Sequence, residues 1–121
     1  MADATHYRWD DLPREELNPQ IGRRFITGTE MMIAHVYLAK GALVPKHAHA
    51  NEQITYILEG CLRFALGDDG NEVVDVRACE VLTIPPHLPH AAEAIEDTLD
   101  VDIFDPPRQD WLNKTDSYLR K

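Results

Sequence analysis

The sequence predicts an all-β protein, a sandwich or barrel of many short strands. Candidate strands recur at short, regular intervals, and Gly, Pro, Asn and Asp separate them. The chain has 121 residues, the usual length of one domain with one core. Hydrophobic residues make up 44% and charged residues 27%, which is an ordinary globular balance. The predicted strands are 21–27, 31–39, 53–58, 62–66, 72–76, 80–84, 91–95 and 99–104.

The segment before the first strand predicts a short N-terminal arm. Pro13, followed by Arg-Glu-Glu-Leu, predicts one helical turn. Trp9 and Leu12 are apolar anchors that pin this arm either to the barrel or to a second subunit. The first strand, 21–27, then ends at Gly28.

The second predicted strand is the nine-residue apolar run 31–39. This run is too short for a helix and is followed at once by Lys40-Gly41, so a buried strand fits it better. His35 is the polar side chain within it. A lone histidine on an apolar strand is usually a satisfied core residue, and the alternative is a role near a metal.

Turn residues mark the later connections and the tail. The sequence Gly-Asp-Asp-Gly-Asn at 67–71 predicts a hairpin turn. Pro106-Pro107 ends the last strand, and 108–112 predicts a short helix with proline at its first position. The tail is expected to dock on its own barrel or across a dimer, through Trp111, Leu112, Tyr118 and Leu119.

Composition excludes several classes of function. A formal net charge of −9 argues against nucleic acid, which binds through lysine and arginine. No apolar stretch is long enough to cross a bilayer, and the N-terminus has neither the basic start nor the apolar centre of a secretory signal, so a cytoplasmic protein is expected. Cys61 and Cys79 are predicted to stay reduced as packing residues.

The candidate metal-binding residues are concentrated in the stretch from Gly41 to Gly60. His47, His49 and Gln53 all occupy odd positions, and in an extended chain such side chains point the same way. Two imidazoles and an amide oxygen suit a divalent metal, with a fourth ligand from elsewhere. The alternative for the histidine pair is a solvated loop, and for Gln53 a side chain that points to solvent beside an adventitious ion.

This stretch reads G-x5-H-x-H-x3-Q-x6-G and resembles the first motif of the cupin superfamily, with Gln53 where that motif usually has glutamate. The second cupin motif, G-x5-P-x-G-x2-H-x3-N, is matched more loosely by residues 79–94. Pro85 and His90 fall in register, whereas Cys79 and His87 replace its glycines and Ala94 replaces its asparagine.

The cupin resemblance implies a single-domain jelly-roll barrel, or double-stranded β-helix, over residues 1–121. Its barrel core is expected at about 21–105, with the N-terminal arm at 1–20 and a short helical tail at 106–121. The resemblance also implies His90 as the fourth ligand of one divalent transition metal, which is Zn, Ni, Fe, Co or Mn. His87 is expected at the rim of the pocket.

A second feature is the alternating sequence Asp-Val-Asp-Ile-Phe-Asp at 100–105. Val101 and Ile103 face a core in either interpretation, while Asp100, Asp102 and Phe104 face either water or the barrel cavity. Phe104 would be exposed in the first case. The cavity interpretation places the Asp102 carboxylate beside the metal, where it can act as a general acid or base.

A narrower resemblance, to the pectin-degradation cupins of the KdgF type, covers nearly the whole chain. It is carried by residues 35–41, the motif around His47 and His49, and residues 102–108. It implies ring opening of 4,5-unsaturated uronate monosaccharides to linear keto sugars, and therefore a small anionic substrate that is a sugar acid. It also implies Asp102 as the catalytic carboxylate and Arg108 as a contact to the substrate carboxylate. A homodimer is expected.

Two other functions stay open from the sequence. The same histidines serve an iron-dependent cupin oxygenase, and a non-catalytic sensor would use the pocket without turnover. Gln53 favours the ring-opening reaction, because four uncharged donors leave the metal its full charge and make it a stronger electrophile.

Overall fold

Two antiparallel sheets face each other as a jelly roll in the computed structural model, which describes residues 3–120. Residues 1, 2 and 121, at the ends of the predicted arm and tail, lie outside the described part. One sheet has the strand order β1-β2-β3-β10-β5-β8 and the other β4-β9-β6-β7. The strands are β1 Glu15–Asn18, β2 Ile21–Thr27, β3 Met32–Leu38, β4 Leu43–His47, β5 Glu52–Glu59, β6 Cys61–Leu66, β7 Glu72–Arg77, β8 Val81–Ile84, β9 His90–Ala94 and β10 Thr98–Asp105.

The core lies between the two sheets and follows the alternation of side chains along each strand. In β3, every second residue from Met32 to Leu38 is buried, and the residues between them are half-buried. Phe64 on β6 and Ile57 on β5 fill the space from the two sides. The all-β prediction is confirmed, and the hairpin predicted at 67–71 connects β6 to β7.

Two elements near the N-terminus differ from the prediction. The helical turn expected after Pro13 is absent from the described residues; a 3₁₀ turn spans Trp9–Asp11, and β1 follows. The β1 segment pairs with β2, where Glu15 is the register partner of Arg23 and also forms an ion pair with it at 2.7 Å. Pairing with a neighbouring strand therefore overrides the local helical signal.

Strand β4 was missed because it contains Pro45. Proline lacks the N–H that a ladder needs, so a run that contains it does not look like a strand. β4 is the edge strand of the four-stranded sheet, and its register with β9 shifts between Val44 and His47. An edge position with an irregular register tolerates the missing donor.

His35 is not a core residue, and it lies away from the candidate metal ligands. The neighbours Ala34 and Val36 point into the barrel, so His35 lies on the outer face of the six-stranded sheet. There its ring stacks on Trp9 with 3.6 Å between the ring centroids. The predicted anchor Trp9 thus contacts its own barrel through His35.

The C-terminal tail folds back onto the barrel. Its helix α1 spans Gln109–Leu112 and begins two residues after Pro107, so proline is not at its first position as predicted. A 3₁₀ turn at Ser117–Leu119 follows. The side chains of Arg23 and Asp116, both fully buried, form an ion pair at 2.7 Å. Among the described residues, no helix is long and apolar enough to cross a membrane.

The two cysteines are free, and only Cys61 is a packing residue. Cys61 is buried, whereas Cys79 is exposed, which contradicts its predicted packing role. Cys79 and His87 have φ angles of 69° and 70°, in the left-handed region that favours glycine. These are the two positions at which the second cupin motif has glycines. The turns therefore keep the glycine conformation although the glycines are gone.

We expect Cys79→Gly to raise the free energy of unfolding by about 0.5 kcal/mol, because relief of the left-handed strain exceeds the entropy that glycine adds to the unfolded chain. Chemical denaturation with linear extrapolation measures it. Val73→Gly is the control, since Val73 is an exposed strand residue and glycine there should lower stability. An equal loss in both variants would contradict the argument.

Candidate metal centre

Three histidines from separate segments converge at one end of the barrel. His47 ends β4, His49 lies in the following loop, and His90 begins β9 as the register partner of His47. One ring nitrogen of each can be chosen so that all three lie within 4.8 Å of one another. This spacing allows the three imidazoles to hold one metal ion.

Gln53 reaches the cluster from the opposite sheet, on β5. Its amide nitrogen donates to Thr55 Oγ1 at 2.9 Å and to Asp102 Oδ1 at 3.3 Å. These two hydrogen bonds set the orientation of the amide, so its oxygen Oε1 points at His49 Nε2, 3.1 Å away. The structure thus brings together all four ligands that the sequence predicted.

His47, His49 and Gln53 converge as predicted, but not through the alternation of a single extended strand. Residues 47–53 are not one extended strand, because β4 and β5 belong to different sheets and a loop joins them. The side chains converge since the loop turns the chain from one sheet to the other.

Backbone carbonyls orient the three imidazoles. The Nδ1 atoms of His47, His49 and His90 contact the carbonyl oxygens of Pro45, Asn51 and Leu88 at 2.8, 3.1 and 2.8 Å. An Nδ1–H that donates to a carbonyl leaves Nε2 with its lone pair, as is usual for metal-binding histidines. His90 Nε2 is buried and has no hydrogen-bond partner in the described structure.

The electrostatics of the cluster favour neutral imidazoles. Burial lowers the pKa of His47 to about 3, with the nearby His90 adding to the effect. Burial and then Arg108 lower the pKa of His49 to about 4. Burial also lowers the pKa of His90.

A neutral imidazole carries one N–H, yet both ring nitrogens of His49 face oxygen acceptors, the Asn51 carbonyl and Gln53 Oε1. One contact is therefore between two lone pairs, which a cation between them would satisfy. The donor set fits a divalent transition metal, because imidazole and amide oxygen are ligands that such metals accept.

Two carboxyl groups lie beside the cluster on β10. Asp100 and Asp102 are buried in the barrel, as is Phe104, so the cavity interpretation of this alternation is correct. Val101 and Ile103 lie on the outer face of the sheet with His35 and Ile33, so the prediction that they face the core is wrong, although Val101 is buried there. Thr55 Oγ1 donates to Asp102 Oδ1 at 2.7 Å. Burial raises the pKa of both carboxyls, and the two share a hydrogen bond.

Arg108 and Tyr118 also line the space beside the histidine cluster. Arg108 is 2% exposed and donates from Nε and Nη2 to the Asp110 carboxylate at 3.0 and 2.8 Å. Its Nη2 also donates to the Tyr118 hydroxyl at 2.6 Å. The Tyr118 ring stacks on His47 with 4.4 Å between centroids. The sequence treated Tyr118 only as an apolar tail residue, since no spacing linked it to the histidines. His87 is exposed, as a rim residue should be.

These residues enclose a cavity that enters the barrel from the cluster. About 50 Å³ of it is open to the centre of a water molecule. Its polar lining contains His47, Gln53, His90, Asp100, Asp102 and Arg108.

Fold and site together define a jelly-roll barrel with a three-histidine metal-binding group at the mouth of an internal cavity. Comparison with family models gives the particular family: the model described as the cupin domain matches residues 34–105. The chain belongs to the cupin domain family. The first resemblance is thereby confirmed, with the jelly roll that it implied.

Solved structures agree with this assignment. KdgF from Halomonas sp. is 26% identical, with a TM-score of 0.81, over 88% of this chain and 99% of that one. An RmlC-like cupin from Shewanella frigidimarina is also 26% identical, with a TM-score of 0.80, over 92% of this chain and 99% of that one. The likeness to KdgF confirms the narrower resemblance, to a small cupin of the KdgF type.

More distant structures show the fold alone. A variant of oxalate decarboxylase from Bacillus subtilis, with tyrosine in place of one tryptophan, is 20% identical, with a TM-score of 0.75, over 88% of this chain and 31% of that one. A search of curated proteins finds no match. The three-histidine group can hold a metal.

Proposed function

We propose that this chain is a metal-dependent enzyme that opens the ring of 4,5-unsaturated uronate monosaccharides to linear keto sugar acids. The observation that carries the proposal is the Asp102 carboxyl, which is buried against Gln53 and Thr55 beside the histidine cluster. The likeness to KdgF from Halomonas sp. supports the choice of substrate class.

His47, His49, Gln53 and His90 would hold one divalent transition metal, which is Zn, Ni, Fe, Co or Mn. All four donors are uncharged, so the ion keeps its full charge. When bound, it supplies Lewis acidity toward the substrate carboxylate and the oxyanion that develops beside it.

Asp102 would move the protons of the reaction. In an unsaturated uronate the ring oxygen is attached to a carbon–carbon double bond next to the carboxylate. Asp102 takes the proton of the anomeric hydroxyl, whose oxygen then forms a carbonyl with the anomeric carbon. The bond between the anomeric carbon and the ring oxygen breaks. Its electron pair stays on the former ring oxygen, which becomes the oxygen of an enolate. Asp102 then gives the proton to the alkene carbon remote from the carboxylate. Atoms and charge balance without a co-reactant.

Arg108 would contact the substrate carboxylate. Its guanidinium lines the same cavity as His90 and Asp102. Asp110 and Tyr118 hold the group in place, so little side-chain freedom is lost when an anion binds.

The decisive experiment mixes the metal-loaded protein with 4,5-unsaturated galacturonate and follows the loss of alkene absorbance. We expect turnover that stops with a chelator and returns with added metal. Gln53→Glu should slow the reaction, because a charged ligand weakens the electrophile. Consumption of dissolved oxygen would instead identify an oxygenase, and binding without any product would identify a sensor.

We also propose that the chain forms a homodimer through the outer face of its six-stranded sheet. Four isoleucines lie side by side across β2, β3, β10 and β5, in the order Ile26, Ile33, Ile103 and Ile54. Such a face normally carries polar residues when it meets water. Each copy has a net charge of −9, so two copies approach best where the surface has no charge. A second copy supplies the same apolar face around a two-fold axis.

We expect Ile54→Lys to convert the dimer to a monomer, because it places an unpaired charge within the apolar face. Light scattering after size-exclusion chromatography measures the mass. Val73→Lys is the matched control, since Val73 is an exposed strand residue of the other sheet and should leave the dimer intact. A wild-type protein that runs as a monomer contradicts the proposal.

A further inference from the structure

The cavity has a second polar region, deeper than the histidine cluster. Four buried side-chain polar atoms in the described structure lack a hydrogen-bond partner: Arg23 Nε, His90 Nε2, Asp100 Oδ1 and Trp111 Nε1. All four residues line the same cavity. A buried polar group without a partner is costly, so their gathering around one space indicates that a bound molecule satisfies them.

The register of the sheet sets Arg23 and Asp100 apart from the candidate metal ligands, and the Trp111 ring lies 4.2 Å from the Arg23 guanidinium. Arg23, Val36 and Asp100 are adjacent across β2, β3 and β10. Asp102 lies two residues further along β10, toward the row of Gln53 and Phe104. Two residues of strand span roughly 7 Å, about the width of a sugar ring.

Each group has a buried polar atom that could meet a ligand. The Arg23 Nη1 and Nη2 atoms donate to Asp116 and Glu15, which leaves the Nε–H. The Trp111 N–H approaches the Tyr118 hydroxyl without hydrogen-bond geometry. Asp100 shares a hydrogen bond with Asp102, and its Oδ1 has no other partner in the described structure. The region thus presents two donors and one carboxyl group.

This combination suits hydroxyl groups better than a second anion. Two carboxylates already neutralise the Arg23 charge, and the Asp100–Asp102 pair would repel further negative charge. A hydroxyl both donates and accepts, so it matches a set of mixed groups.

We propose that Arg23, Asp100 and Trp111 form a hydroxyl-recognition subsite, so that the cavity binds a polyhydroxylated ring acid with its carboxylate at the histidine end. This inference rests on the proposed function for the placement of the carboxylate. It adds that the ring hydroxyls, rather than the carboxylate alone, select the ligand.

The test uses two unreactive acids with the nickel-loaded full-length protein and isothermal titration calorimetry. Galacturonate carries ring hydroxyls, and tetrahydropyran-2-carboxylate has the same ring and carboxylate without them. We expect galacturonate to bind at least about tenfold more tightly, because the hydroxyl-free ring leaves buried groups unpaired. Trp111→Phe keeps an aromatic ring and removes the N–H, and should weaken galacturonate about fivefold while leaving the other acid unchanged.

Trp9→Phe is the matched control, because Trp9 lies outside the barrel against His35 and should change neither affinity. Thermal melting of each variant checks folding, and Asp100→Asn gives a second variant of the same subsite. Equal binding of the two acids, binding of neither, or a Trp111→Phe loss shared by both acids would overturn the subsite. If the protein discriminates between the two acids but does not open the ring of the unsaturated sugar, the subsite is supported and the proposed reaction is contradicted.

Discussion

His90→Ala is expected to weaken cation binding by more than about a hundredfold, since loss of an outer-shell partner alone typically costs 10–100-fold. His90 Nε2 is buried beside the other two imidazoles and has no protein partner. Alanine removes this donor and leaves two imidazoles and an amide to hold the ion.

Competition between nickel and a fluorescent chelator measures the affinity. His35→Ala is the matched control, because it removes a histidine from the outer face of the same barrel and should leave the affinity unchanged. Equal losses of nickel affinity in the two variants would contradict the assignment of the metal centre.

The same centre should hold its cation at moderately low pH. A proton competes with the metal for each imidazole, and burial lowers the pKa of His47 to about 3 and that of His49 to about 4. Protonation therefore begins well below the ordinary pKa of a histidine, and the cation should be released only as the pH falls toward these values.

Short-range sequence signals predicted most of this architecture. Apolar periodicity and turn residues identified eight of the ten strands found within residues 3–120, because side-chain period and turn chemistry are local properties. The two missed strands, Glu15–Asn18 and Leu43–His47, form through pairing that their own residues do not indicate. The first pairs with the adjacent strand β2, and the second pairs with β9 at an edge position that tolerates Pro45. The domain boundaries predicted from the sequence stay a prediction.

Motif spacing predicted the candidate metal ligands, but it did not predict which residues form the walls of the cavity. Tyr118, Trp111 and Arg23 reach the site from the tail and from β2, and nothing in their local sequence marks a contact with a histidine. His35 shows the converse failure. It stands in an apolar strand like a core residue, and only the strand's parity relative to the barrel, which depends on the whole sheet, places it outside.

Asp102→Asn is expected to lower the turnover of unsaturated galacturonate by about 10³-fold, the middle of the range for losing a general acid or base. Asparagine has nearly the same shape, and its oxygen can still accept from Thr55 and Gln53 as the carboxylate does at 2.7 and 3.3 Å. What disappears is the ability to take a proton from the anomeric hydroxyl and return it to carbon. The turnover rate should therefore fall while KM and nickel affinity change little.

Steady-state kinetics with saturating metal separates these quantities. Asp105→Asn is the matched control, because Asp105 is an exposed carboxylate on the same strand and its loss should not change the rate. A purely structural role for Asp102 would lower nickel affinity and thermal stability together with turnover, since Gln53 would lose its orientation. Retained turnover in Asp102→Asn would move the proton transfer to another group. Asp100 would then be the next candidate, because it is the other carboxyl group that lines the cavity.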